Sequence, residues 1–281
     1  MGCFNLYFGG YIMTKKITLV GSCVSRCVCL VVALALAGCA KDKGKGDMSL
    51  QELSDKSTEA LKKNKREEAI NYLEEIIGRF PDNANISRYK MQLAETYFKD
   101  GRYAAAQEVY EHLNQFYPSD KSAEYAKYKS IQSMFKQSLN SDCDQTETEE
   151  VVKLCQEYLQ NTSYNQYKNE IIAMRKECEN KLIDKEVYVF NFYIKESTKD
   201  PKRKHQFLDA AHNRIKFIRE KYLADHPTLE PQILYLESKL AQREKNKTLV
   251  KETINTLTQK YPESQYTQLA QGLTHRTPFI F

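Results

Sequence analysis

Cysteine and histidine are the most reactive side chains in this sequence, and their spacing leaves them little chemistry. Four of the eight cysteines, Cys39, Cys143, Cys155 and Cys178, lie beyond the first 38 residues. They have neither the close pairing of a zinc site nor the density of a disulfide framework. Cys155 shares a helical apolar stripe with Val151, Val152, Tyr158 and Leu159, which reads as a small buried hydrophobe. A disulfide between Cys143 or Cys155 and Cys178 stays open in an exported chain. Five histidines are scattered. His205 and His212 stand seven apart on one helix face and could hold a metal only with further ligands, so they are expected to face solvent or lie half-buried. HExxH, GxSxG, phosphate-cradling glycine loops and nucleotide fingerprints do not occur. The sequence therefore calls for no catalytic residue, no cofactor and no metal.

Cys39 is different because of what precedes it. Lys15, Lys16 and Arg26 lead into an apolar stretch from Val28 to Ala37, too short for a comfortable permanent span. Positive region, apolar region and small residues make a secretory signal over 1–38. Leu36-Ala37-Gly38-Cys39 resembles the lipobox of bacterial lipoproteins, which implies cleavage before Cys39 and lipid on its thiol. Ala40 follows where an aspartate would retain some lipoproteins in the inner membrane, so the outer membrane is expected. The first twelve residues lack positive charge, and Met13 makes the better signal start.

Three of the 42 basic residues and none of the 37 acidic ones precede Cys39, so the chain from there on carries a formal +2. That is no nucleic-acid footprint, which needs a concentrated basic face. Ten Gly and seven Pro fall well below the roughly twenty and fourteen of average usage. Gly-rich β architectures are thereby disfavoured. Nineteen Tyr and no Trp suit packed helices, with rings buried and hydroxyls wet. Residues 39–48, including the charged KDKGKGD run, read as a lipidated tether.

The body reads as helical hairpins. Ala69, Ile70, Leu73, Ile76, Ile77 and Phe80 fall on one broad helix face, stopped at Phe80-Pro81. The pattern returns 37 residues on: a Tyr89-to-Tyr97 stripe, the turn Asp100-Gly101, an Ala105-to-Phe116 stripe, then Tyr117-Pro118. A third copy runs from Leu234 through the polar turn Glu244–Lys247 to Tyr261-Pro262. These units resemble the 34-residue tetratricopeptide repeat. Its small positions match Ser57 and Ala69, Ala94 and Ala106, and Ser238 and Val250; its aromatic position holds Tyr97 in the second copy but Ala60 and Ala241 in the others.

Between the second and last copies the reading is looser. A helix over 123–139 is followed by an acidic break over 142–150, a helix over 151–160, and a continuous helix of roughly thirty residues lined by Tyr167, Ile171, Met174, Cys178, Leu182, Val189 and Tyr193. Pro201-Lys202-Arg203-Lys204-His205 makes an exposed basic turn before a helix over 207–222, and Thr228 caps the next. The expectation is an all-α, right-handed α-solenoid of about five tetratricopeptide-like hairpins over 49–270, with a tail over 271–281.

Lipobox, tether and five hairpins together resemble the BamD family, the lipoprotein partner in outer-membrane β-barrel assembly. The segment EEAINYLEEIIGRFPDNANISRYKMQLAETYFKDGRYAAAQEVYEHLNQFYPSD, the long helix AMRKECENKLIDKEVYVFNFYIK and the closing KYPESQYTQLA carry the likeness. It implies a non-catalytic scaffold, lipid-anchored through Cys39 on the periplasmic face of the outer membrane. The C-terminal half would dock the BamA-like barrel-assembly protein, and the N-terminal hairpins would take accessory lipoproteins or unfolded outer-membrane proteins. The basic turn Lys202, Arg203, Lys204 and His205 is the candidate contact, since exposed charge speeds encounter. No nucleic acid is expected. The runner-up reading is another repeat adaptor lipoprotein of envelope assembly or secretion. A SusD-like glycan-binding lipoprotein fits less well, because that family is longer and uses tryptophans.

Overall fold

The computed structural model describes residues 47–138 and 144–275. The chain divides after Ser49, and every helix below belongs to the second unit. Eleven α-helices are described: α1 Leu50–Lys62, α2 Arg66–Arg79, α3 Ile86–Lys99, α4 Tyr103–Phe116, α5 Ala123–Gln137, α6 Thr146–Gln160, α7 Lys168–Lys199, α8 Lys204–Tyr222, α9 Glu230–Glu244, α10 Lys247–Lys260 and α11 Gln265–His275. No strand occurs among the described residues. Each helix packs mainly on the next in sequence, while α9 also meets α11. This is a tetratricopeptide-like α-solenoid of paired hairpins, closed by α11, which runs to His275.

Side-chain volume sets how closely the helices approach. Ser57, Ala69, Ala94, Ala106 and Ser238 are sealed between helices, where a small side chain lets backbones come together. Val250, at the matching position of the last hairpin, is only half-buried. Larger residues fill the space between neighbouring hairpins, which each expose an apolar face until the next stacks on it. Ile131, Val151, Tyr158 and Ile171 make one such cluster across α5, α6 and α7; Phe190, Ile215, Ile218 and Ile233 make another across α7, α8 and α9.

The turns repeat as faithfully as the helices. Inside three hairpins the chain passes through one left-handed residue: Asn64 (φ 56°), Gly101 (φ 81°) and Lys245 (φ 63°). In each, the following N–H reaches back to the helix, Lys65 to Ala60, Arg102 to Tyr97 and Asn246 to Ala241, satisfying carbonyls the helix end would leave bare. Between hairpins, Phe80, Tyr117 and Tyr261 take nearly the same backbone angles, φ −127°, −127° and −135° with ψ 52°, 50° and 52°. The proline that follows each disfavours continued helix. Asn83 Oδ1, Asp120 Oδ1 and Ser264 Oγ then accept the N–H two residues on. Asn161 Oδ1 takes the N–H of Ser163 in the same way, without any proline.

Several tyrosine hydroxyls are not wet, as expected from composition, but tied to neighbouring helices. Tyr89 donates to Ser54 Oγ over 3.3 Å, Tyr97 to Glu74, and Tyr158 to Glu124 over 2.6 Å. A phenol is long enough to cross the gap that its ring fills.

Four sequence expectations need correction. Helix α6 begins at Thr146, not Val151, and takes in part of the acidic break; Glu147 and Glu149 there complement the positive helix end. Lys204 and His205 belong to the first turn of α8 rather than to the turn before it. Asp200 Oδ1 accepts the N–H groups of Lys202 and Arg203, which bends the chain fast enough for the helix to start there. Thr228 caps nothing; it sits in a 3₁₀ turn, Pro227–Leu229, closed by Leu229 N–H on His226 O. Past Leu182 the buried face of α7 follows Ile183, Glu186, Phe190, Ile194 and Ser197, with Val189 and Tyr193 only half-buried. The buried carboxylates explain that miss. Glu179 is hidden because His226 Nε2 lies 2.8 Å away, and Glu186 because Arg214 Nη1 lies 3.0 Å away; apolar periodicity cannot register a paired charge.

Candidate partner-binding surface

The long helix α7 builds the candidate surface. Its 32 residues extend about 48 Å at 1.5 Å per residue. One side meets α8 through Leu182, Ile183, Phe190 and Ile194. Tyr188 and Phe192 lie one turn apart on the opposite side, 62% and 50% exposed. The two rings are one helical turn apart, so they leave a continuous apolar strip uncovered on that side of α7.

At the far end of α7 this face joins an aromatic edge. Phe192 and Tyr193 meet edge-on at 5.6 Å, Tyr193 stacks on Phe207 of α8 at 6.4 Å, and the Arg203 guanidinium lies 5.4 Å over the Phe207 ring. A cation over an aromatic face is held there by the ring quadrupole. The tip therefore presents flat apolar rings with a positive rim.

The four basic candidates lie at this tip. Lys202, Arg203 and His205 are exposed and Lys204 is half-buried. Two of them already have acidic partners. Arg203 Nε lies 2.7 Å from Asp200 Oδ2, and His205 Nδ1 lies 2.8 Å from Asp209 Oδ2. Arg203, with the backbone N–H groups of Arg203 and Lys202, holds the Asp200 carboxyl below the usual carboxylate range. A bare basic patch is thus not what the turn offers; the aromatic rings beside it are the larger feature. Sequence reading missed Tyr188, Phe192 and Phe207. The available signal was Tyr188 and Phe192 at i and i+4, off the apolar stripe.

Other predicted positions resolve simply. Cys39 and Cys143 lie outside the described residues. Cys155 and Cys178 are free thiols sealed in the cluster between α6 and α7. Burial pushes both thiols up to about 12, so they behave as hydrophobes rather than nucleophiles. His212 is exposed, and no group of three metal-ligating side chains occurs among the described residues. None of the described helices is long and apolar enough to cross a membrane.

A family described as YfiO, outer membrane lipoprotein, matches residues 46–230. This span covers α1 to α8 and includes both the aromatic tip and the basic residues. No curated protein matches. Among solved structures, one described as a "putative protein binding protein" from Bacteroides ovatus aligns over 81% of this chain and 97% of its own, at 12% identity and a TM-score of 0.25. The family match, spanning most of the helical hairpins, settles the assignment: the chain belongs to the BamD/YfiO family of outer membrane lipoproteins, non-catalytic scaffolds of the β-barrel assembly machinery.

Proposed function

We propose that this chain docks the BamA-like barrel-assembly protein through its C-terminal half, from about Lys185 to Pro262, with the α7–α8 tip at the centre of the contact. One observation supports this most directly: Tyr188 and Phe192 stand exposed beside the Tyr193–Phe207–Arg203 stack. Aromatic and Arg side chains are the commonest anchors of protein interfaces. Lys202, Lys204 and His205 would act at the rim, raising encounter rate more than final affinity. The N-terminal hairpins would be left for accessory lipoproteins or unfolded outer-membrane proteins. Residues 39–48 would form a lipidated tether from Cys39, and 49–270 the repeat domain.

Cutting the chain near residue 161 to separate the halves would pass through the Ile131, Val151, Tyr158 and Ile171 cluster and confuse unfolding with lost binding. Point substitutions in the full chain avoid this. Phe192→Ala with Tyr188→Ala should weaken capture of the partner's periplasmic domains at least tenfold while leaving the thermal midpoint near the parent's. Undiminished capture would move the contact elsewhere.

A further inference from the structure

Lys239 on α9 reaches across to α7. Its Nζ donates to Asn191 Oδ1 over 2.5 Å and lies 5.9 Å over the Phe190 ring. Phe190 is fully buried, and the lysine above it is half-buried. Arg243 stands one turn further along the same face of α9, exposed. Lys195, one turn beyond Asn191 on α7, is exposed as well.

The charge at this α7–α9 junction is unbalanced. Among the described residues neither Lys239 nor Arg243 pairs with a carboxylate. The carboxylates on the same helices are engaged elsewhere, Glu186 with Arg214, Glu196 with Lys199 and Glu237 with Arg219. An ammonium carries three donors, and the Asn191 carbonyl takes one. Burial lowers the Lys239 pKa, and the Arg243 charge lowers it further. Lys129 on α5 differs in one respect. It lies 3.3 Å over Phe98 of α3 and donates to Gln132 over 2.6 Å, but the charge of Glu95 offsets it. At Lys239 the charged neighbour is a second cation. The carbonyl end of α9 favours Arg243, in its last turn, yet that effect fades within a turn and leaves Lys239 without it. Two cations held close beside a buried ring repel each other unless an anion joins them.

We propose that Lys239, Arg243 and Asn191 form a site for a phosphate group carrying two negative charges. The phosphate would accept from Lys239 Nζ and, in a forked pair, from the Arg243 guanidinium. The Asn191 amide, whose carbonyl faces Lys239, has its NH2 group left to donate to a further oxygen. A carboxylate matches less well, because one charge cannot balance two cations and its two oxygens lie in a plane while the donors come from two helices. Free phosphate and the headgroup of a phosphomonoester lipid share the required chemistry. The site goes beyond the docking reading above and holds whether or not a partner covers Tyr188 and Phe192.

The test uses the full chain in detergent, with the Asn191 side-chain amide followed by NMR at fixed pH and ionic strength. The probes are inorganic phosphate, dioctanoyl phosphatidic acid, dioctanoyl phosphatidylcholine and acetate. A saturable shift with inorganic phosphate or phosphatidic acid, absent with phosphatidylcholine and acetate, is expected. Lys239→Met keeps the apolar stem over Phe190 and should weaken binding at least tenfold, as should Arg243→Met. Lys216→Met, exposed on α8, should leave it unchanged. Binding of one phosphate probe without the other assigns the source, and binding of both shows that the phosphate group alone is recognised. Acetate that shifts the amide as strongly as phosphate overturns the proposal in favour of a carboxylate-bearing partner. No saturable shift with either phosphate probe overturns it outright, and so does unchanged affinity in a folded Lys239→Met variant.

Discussion

Glu124 on α5 holds the turn between α6 and α7 through Tyr158. The Tyr158 hydroxyl donates to Glu124 Oε1 over 2.6 Å, and the same oxygen accepts the N–H groups of Asn165 and Gln166 at 2.7 and 2.6 Å. Tyr158 itself is fully buried, and its hydroxyl also takes the Tyr167 N–H at 3.3 Å. Three other hairpin junctions end on an aromatic-proline pair, Phe80-Pro81, Tyr117-Pro118 and Tyr261-Pro262. Here a carboxylate from the preceding hairpin does that work.

Glu124→Gln keeps an accepting oxygen but removes its charge, so it should destabilise the chain by about 1 kcal/mol, the difference between charged and neutral hydrogen bonds. The pH dependence has a definite sign. Burial pushes the Glu124 carboxyl up, but the Tyr158 hydroxyl and the backbone N–H groups of Gln166 and Asn165 outweigh it, and the net shift is downward from 4.5. A lowered carboxyl pKa contributes stability that is present above the unfolded value and lost as pH falls through the folded one. Thermal midpoints of parent and variant should differ at pH 7 and converge as the pH drops below about 4. A difference that stays constant across that window would show that the carboxylate charge contributes nothing.

Lys245→Gly should stabilise the last hairpin by up to about 1 kcal/mol, because a side chain at positive φ is strained and glycine is not. The φ of Lys245 is 63°, close to the 81° at the equivalent Gly101. Gly101→Ala should move stability the other way, even though a Cβ there would meet nothing within 4 Å. Urea midpoints for the two variants should shift in opposite directions; a shift of the same sign in both would refute the equivalence of the turns.

Ala106→Tyr should cost roughly 1–3 kcal/mol or more by overpacking. Ala106 has no exposed surface and lies where α4 packs against its neighbours. Lys62→Ala, on the exposed end of α1, is the control and should change stability by less than about 0.5 kcal/mol. Calorimetry that placed the two variants together would contradict the packing assigned to Ala106.

Cys39→Ser should leave the protein uncut or soluble, as the Leu36-Ala37-Gly38-Cys39 sequence requires if the thiol takes the lipid. Mass spectrometry of the mature parent should find Cys39 as a lipid-bearing first residue. An unmodified peptide spanning Gly38-Cys39 in that material would end the lipoprotein-anchor reading for this cysteine.

The helices and their pairing are legible in the amino-acid order alone, because both are written in local terms. A broad apolar face such as Ala69 to Phe80 fixes a helix. Phe80-Pro81, Tyr117-Pro118 and Tyr261-Pro262 end helices through a steric effect confined to adjacent residues. Ala94 and Ala106 mark close crossings by volume alone. Features that depend on a partner distant in sequence are legible only in the folded chain. Glu179 and Glu186 read as solvent-facing charges until His226 and Arg214, 47 and 28 residues on, are placed against them. Tyr188 and Phe192 lie off the apolar stripe, but that they stand exposed on the outer side follows only from the packing of α7 against α8. The basic residues Lys202 to His205 were visible in the sequence. That Asp200 pairs with Arg203, that Asp209 hydrogen-bonds His205, and that Phe207 lies under Arg203 emerges only once the α7–α8 turn is folded.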